Sequence, residues 1–162
     1  MAGTDRLRVR DELELRFPSD PRHIAAARAF VEQAALLAGL GEHDTARIVL
    51  ATGEAIANVI RHCYGGRCDR DIRLTARIFA DRLELHLQDY GRKVDPGELH
   101  SHGPDDGSIH PGGLGLHIIR EVMDEVDLSF ISGTGNCLTM VKFLDDAAGA
   151  GGAREAERGS QP

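Results

Sequence analysis

Residues four apart on a helix stack on one side. In the stretch from Asp44 to Tyr64 this sets Arg47, Glu54, Asn58 and His62 in a polar stripe. The stripe is separate from the apolar face of Ile48, Thr52, Ala55, Ile56, Val59 and Cys63. A Glu and an amide oxygen one turn apart can reach one proton and one hard cation together. A solvated helix face would also be polar, although Asn is a poor helix-interior residue. A second feature is Gln88-Asp89-Tyr90-Gly91. Asp-x-Gly after a strand is often a plain turn. It also sets a carboxylate at a strand end, beside a backbone that a ligand can approach closely. The third is Gly112-Gly113-Leu114-Gly115-Leu116, three glycines leading into an amphipathic helix. Free N–H groups at a helix start bind phosphate, and a flexible hinge would read the same way. The fourth is Gly133-Thr134, a hydroxyl aimed at a pocket or an ordinary hairpin turn.

Other chemistries are poorly served. No Gly-x-x-x-x-Gly-Lys-Ser/Thr occurs, which excludes a P-loop, and Gly133-x-Gly135 has Leu138 where a dinucleotide fingerprint needs its third glycine. Cys63, Cys68 and Cys137 form no Cys-x-x-Cys pair. Cys63 and Cys68 flank a Gly-Gly turn but lack the two further ligands that a zinc site brings. Reduced thiols are the expectation. His100, His102 and His110 lie in one loop, with no Cys or carboxylate completing a ligand set. His62 and His117 read as packing or hydrogen-bonding residues.

The chain of 162 residues suits one domain, and a domain of this size buries roughly 70% of its unfolded surface. Trp is absent and aromatics make up 4%, so the core must rest on Leu, Ile, Val and Ala. A formal net charge of −7 argues against a nucleic-acid surface and permits a basic protein partner. Taken alone, it serves solubility. Met1–Arg10 is polar and charged, unlike a signal peptide, and no apolar stretch approaches the ~18 residues needed to span a membrane. The expectation is a cytoplasmic protein with neither a nucleic-acid nor a membrane partner.

Elements follow from the periodicities. Glu12–Phe17 alternates as a strand, and Pro18-Ser19-Asp20-Pro21 ends it and caps a helix from Arg22 to Ala38, closed by Gly39. Asp44 can cap a second helix running to Cys63 or Tyr64, where Gly65-Gly66 breaks it. Leu74, Ala76 and Ile78, then Leu83, Leu85 and Leu87, alternate with polar residues as a hairpin. The Gly-, Pro-, Asp- and His-rich stretch 90–112 has no periodicity, which in a compact domain suggests a functional loop such as a lid. A helix over Leu114–Glu125, a strand over Val126–Phe130, a turn at 133–136 and a strand over Cys137–Leu144 follow. Residues 1–10 read as flexible, 11–144 as the domain and 145–162 as a disordered tail. Half-polar strands leave helices one sheet face to cover. The fold class is α/β (α+β): a two-layer α/β sandwich with a mixed, mostly antiparallel sheet.

Taken together, in this order and spacing, the four features resemble the GHKL ATPase superfamily. Glu54-Ala55-Ile56-Ala57-Asn58 looks like its N box, Asp89-Tyr90-Gly91 like its G1 box, and Gly112–Leu116 like its G2 box. The likeness is greatest to the anti-sigma factor serine kinases of bacterial partner-switching systems. It is carried by EAIANVIRHCY (54–64), GGLGLHIIREVMDEV (112–126) and Gly133-Thr134 followed by Met140-Val141-Lys142, and it covers about residues 10–144.

This resemblance implies a Bergerat-type ATP-binding fold. Glu54 would be the general base toward a substrate serine, and Asn58 would hold Mg²⁺ between the phosphates of ATP. Asp89 would accept from the adenine amino group, with Thr134 nearby through water. Gly91, Gly113, Leu114, Gly115 and Leu116 would lie along the nucleotide, under a lid at 92–111. It also implies a small antagonist protein as substrate, a sigma factor as sequestered partner, and a homodimer. The chain departs from the pattern at Lys93, where a second glycine is common, and at His110-Pro111, where some members carry a basic residue. Arg92 or Lys93 could supply that charge. Two rival readings remain: a module that binds ATP and acts by sequestration with little turnover, and a catalytic domain working on a partner's histidine. The chain lacks the dimerisation helix that the second rival would use.

Overall fold

The computed structural model describes residues 8–94 and 113–145. Strand β1 (Asp11–Pro18) leads through a short 3-10 turn, Pro21–His23, into helix α1 (Ile24–Ala38). Asp20 caps that turn by accepting from the Arg22 N–H at 2.9 Å, so the helix proper begins two residues later than the sequence suggests. Gly39, with φ 92°, closes α1. A side chain is strained in that left-handed conformation.

Helix α2 (Glu42–Asn58) runs back along α1. The Ala-rich stretch places Ala27, Val31, Ala34 and Ala35 with no exposed surface, which lets the two helices pack closely. Beyond Asn58 the helix widens into a π-type turn, Val59–Cys63. There the Tyr64 N–H donates to the Val59 carbonyl, five residues back, at 3.1 Å. Such widened turns concentrate at functional sites.

Strands β2 (Asp71–Ile78) and β3 (Arg82–Asp89) form the hairpin expected from their alternation. Helix α3 (Gly113–Val122), strand β4 (Glu125–Ile131) and strand β5 (Gly135–Phe143) complete the fold. The sequence suggested that α3 runs to Glu125. Instead the Asp124 N–H donates to the Val141 carbonyl at 2.9 Å, which takes the chain into the sheet early. The turn before β5 is also shorter than expected, so Asn136 lies inside the strand.

The sheet order is β1-β2-β3-β5-β4. All four pairings are antiparallel. The mixed component allowed by the sequence is therefore not present among the described strands: each neighbouring pair is either hairpin-linked or brought together in opposite sense. Ile72, Leu74, Ala76 and Ile78 of β2 and Leu83, Leu85 and Leu87 of β3 are all buried. Their alternates, such as Thr75, His86 and Thr139, share a row on the other face. The helices thus cover one face, giving the two-layer α/β sandwich. The proposed lid over 95–111, the N-terminal residues 1–7 and the tail over 146–162 lie outside the described residues. Among the described residues, no helix is long and apolar enough to cross a membrane.

Candidate functional site

Strand parity decides where Asp89 points. Leu83, Leu85 and Leu87 face the helices, so Asp89, two residues on, faces them too and is 2% exposed. A carboxylate so placed must be hydrogen-bonded. Its Oδ1 accepts from the Gly91 N–H at 2.9 Å and from Asn136 Nδ2 at 2.9 Å, and the Cys63 thiol donates to it as well. Burial pushes the Asp89 carboxyl above its ordinary range, and the donors from Asn136, Gly91 and Cys63 pull it back.

Gly91 is required by contact rather than by dihedral angle. A Cβ there would meet the carbonyl oxygen of Cys63, in the π-type turn that ends α2. The Arg92 N–H donates to that same carbonyl at 3.3 Å, and Arg92 Nε donates to the His62 carbonyl at 3.0 Å. The chain leaving Asp89 is therefore laid against the end of α2. Tyr64 adds a second tie: its hydroxyl donates to the Asp71 carbonyl at 2.5 Å and accepts from the Tyr90 N–H at 2.7 Å. Burial pushes that phenol up to about 12, so it stays neutral. Gly91 and Cys63 also line a cleft of about 520 Å³, shared with Tyr64, Tyr90, Arg67 and Arg70.

Gly135 lies opposite, with φ 92° and no room for a side chain, because a Cβ would meet the Asp89 carbonyl oxygen. Backbone strain and overpacking then act together, and Gly135→Ala is expected to cost roughly 2–4 kcal/mol. Urea denaturation followed by circular dichroism checks this; an unchanged midpoint would show that the backbones are less close than described here.

Helix α2 carries the other part of the site. Glu54 and Asn58 are half-buried, one turn apart, while Arg47 and His62 at the ends of the stripe are exposed. Among the described residues Glu54 has no hydrogen-bond or ion-pair partner. Among the described residues Asn58 Oδ1 accepts only a long contact, from Arg61 Nη2 at 3.5 Å. Gly53, just before Glu54, is crossed by the Arg28 guanidinium, whose Cζ would lie 3.0 Å from an added Cβ. A side chain there would have to displace that exposed guanidinium; glycine in mid-helix costs about 1 kcal/mol relative to Ala.

Helix α3 packs against α2. Gly113, Leu114, Gly115 and Leu116 form its first turn, where backbone N–H groups lack helical partners. Gly112, His100, His102 and His110 lie outside the described residues. The structure thus gathers Asp89, Gly91 and the end of α2 at one point and sets Glu54 and Asn58 on that same helix. Thr134 is exposed in the turn between β4 and β5, and its carbonyl accepts from Gln88 Nε2 at 2.9 Å. Asn136 is the residue whose side chain hydrogen-bonds Asp89 from β5.

Asn136, Cys63 and Tyr64 are the residues that the sequence reading missed as parts of this site. A signal existed for the first: Asn136 is in phase with Leu138 and Met140, so strand parity puts all three on the buried face. Among the described residues no group of three His, Cys, Asp or Glu side chains could hold a metal ion.

The arrangement has counterparts among known proteins. The family model described as "Histidine kinase-like ATPase domain" matches residues 17–142. The chain is similar to the serine-protein kinase RsbW of Listeria innocua, 28% identical over 147 residues that cover 85% of this chain and 90% of that protein. A similar likeness, with 28% identity and the same coverage, holds for RsbW of Listeria monocytogenes. RsbW of Bacillus velezensis is 27% identical over 143 residues, covering 83% of this chain and 87% of that protein.

Proposed function

The chain belongs to the histidine kinase-like ATPase domain family, and from that premise we propose that it is a protein-serine kinase of a partner switch. In this reading it moves the terminal phosphoryl group of ATP to a serine of a small antagonist protein. In its other state it holds a sigma factor. The observation that carries the reading is the buried Asp89 carboxylate, fixed by neighbouring donors at the mouth of β3. A fixed acceptor in a dry site selects a base that offers an N–H, as the 6-amino group of adenine does. The names of the similar proteins, serine-protein kinases, support the reaction class.

Phosphoryl transfer needs positioning and charge neutralisation more than covalent help. Glu54, with no partner of its own among the described residues, is the group to take a proton from an incoming serine hydroxyl. Asn58 presents a weakly engaged amide oxygen one turn on, a hard donor of the kind Mg²⁺ accepts while keeping phosphate ligands. When bound, Mg²⁺ would offset charge between the phosphates. The first turn of α3 offers backbone N–H groups to phosphate oxygens. Residues 11–144 would act as one cytoplasmic unit, paired as a homodimer.

The test is incubation with Mg-ATP and the cognate antagonist, followed by mass spectrometry for phosphoserine. Absence of phosphoserine at long times would sink the kinase assignment. It would favour the second reading, an ATP-binding module that acts by sequestration. That alternative draws on Lys93, which stands where the resemblance leads one to expect glycine and whose ammonium lies 5.5 Å from the Phe130 ring centre.

Asp89 also sets a pH dependence. Only its ionised form is a pure acceptor, and burial raises its pKa. ATP affinity is therefore expected to fall as pH drops through that raised value, above the ordinary carboxylate range. Calorimetric titrations across pH check this; an onset confined to the ordinary range would contradict it.

A further inference from the structure

Asn136 is 1% exposed, and a side-chain amide so buried is costly unless its groups are paired. Its Nδ2 donates to Asp89 Oδ1 at 2.9 Å and to the Arg92 carbonyl at 2.8 Å. Its Oδ1 accepts from the Val94 N–H at 3.0 Å. Both donors of the amide and its oxygen are thus engaged. Turning the amide over would set oxygen against the carboxylate and the Arg92 carbonyl, and NH₂ against the Val94 N–H. The three partners therefore fix one orientation.

That orientation constrains Asp89 chemically. Oδ1 receives two donors in fixed positions, one from Gly91 and one from Asn136. Two donors on one oxygen stabilise the ionised carboxylate and hold its plane. An ionised carboxylate only accepts, whereas a protonated one also donates. The difference matters at a purine, because a 6-amino group donates and a 6-keto group accepts.

We propose that Asn136 sets base selectivity at this site, holding Asp89 as a fixed pure acceptor and so favouring 6-amino over 6-keto purine nucleotides. The proposal rests on the ATP reading above and adds the residue that enforces it. Through Arg92 and Val94 the same amide fixes the backbone leaving Gly91, so base recognition and the chain beyond it form one hydrogen-bonded unit. The other titratable groups around Asp89 are Cys63, which donates to it, and Tyr64 and Cys137, whose pKa values are raised by burial so that both stay neutral at neutral pH.

The experiment measures ATP and inosine triphosphate binding by calorimetry for the wild-type chain, Asn136→Leu and Asn136→Ala. Leu keeps the branched skeleton and removes the donors; Ala removes the donors without adding bulk. The expected result is that wild type prefers ATP and that the preference falls at least about tenfold in each folded variant. A merely structural role would weaken both nucleotides together and leave their ratio alone. An unchanged ratio in either variant that folds by circular dichroism overturns the proposal, and should Asn136→Leu fail to fold, Asn136→Ala decides. Equal binding of the two nucleotides by wild type overturns it as well. If wild type binds neither, the ATP reading itself has failed.

Discussion

Asp89→Asn is expected to lower ATP affinity about a hundredfold or more while leaving the nucleotide-free fold at least as stable. The donors from Gly91 and Asn136 both converge on Oδ1, so an Asn at this place must turn its oxygen to them. Its NH₂ then takes the place of Oδ2 and faces the adenine amino group, donor against donor. A buried site built for one hydrogen-bonding pattern rejects the reverse pattern strongly. The same turn makes the variant a better host for a 6-keto purine, so inosine triphosphate should gain on ATP.

Stability runs the other way. The folded pKa of Asp89 is raised above its unfolded value by burial, so its favourable contribution is present below the ordinary carboxylate range. That contribution is lost as pH rises through the raised value. Once ionised, the buried carboxylate works against folding, and the neutral amide removes that load. Nucleotide titrations and thermal melts of the two proteins separate the effects. Loss of binding together with a much lower melting temperature would mean that Asp89 is a structural residue.

Glu54→Ala carries the second large effect, with the opposite signature. ATP binding should be kept within a few fold, because Glu54 is not among the groups that hydrogen-bond Asp89. Transfer to serine should fall by about 10²–10⁴, the usual contribution of a general base. Single-turnover phosphorylation of the antagonist by the two proteins, with binding measured in parallel, checks it. Transfer at the wild-type rate would remove Glu54 from the chemistry.

Most of this architecture was legible beforehand because its cause is local. Period-two alternation gave β2 and β3, and the parity of Leu83, Leu85 and Leu87 already fixed the face of Asp89. Four-residue spacing gave Glu54 and Asn58 a common side of α2. What escaped the sequence depends on contacts between distant segments. The turn before β5 read as four residues, 133–136, which left Asn136 outside the strand. The register instead pairs Asp89 with Asn136, whose amide donates to it. The widened turn at Val59–Cys63 has no marker of its own in the sequence; it becomes intelligible once the Cys63 carbonyl is seen against Gly91. The early end of α3 likewise reflects a sheet bond from Asp124.

Calorimetric titration of the full chain with ATP in the presence of Mg²⁺ tests the central claim most directly. A saturable heat at one site per chain, absent from Asp89→Asn, is the predicted result. No heat for the folded wild-type chain at millimolar ATP would contradict it. Asp89 and the glycines at 91, 113 and 115 would then have to be explained by packing alone.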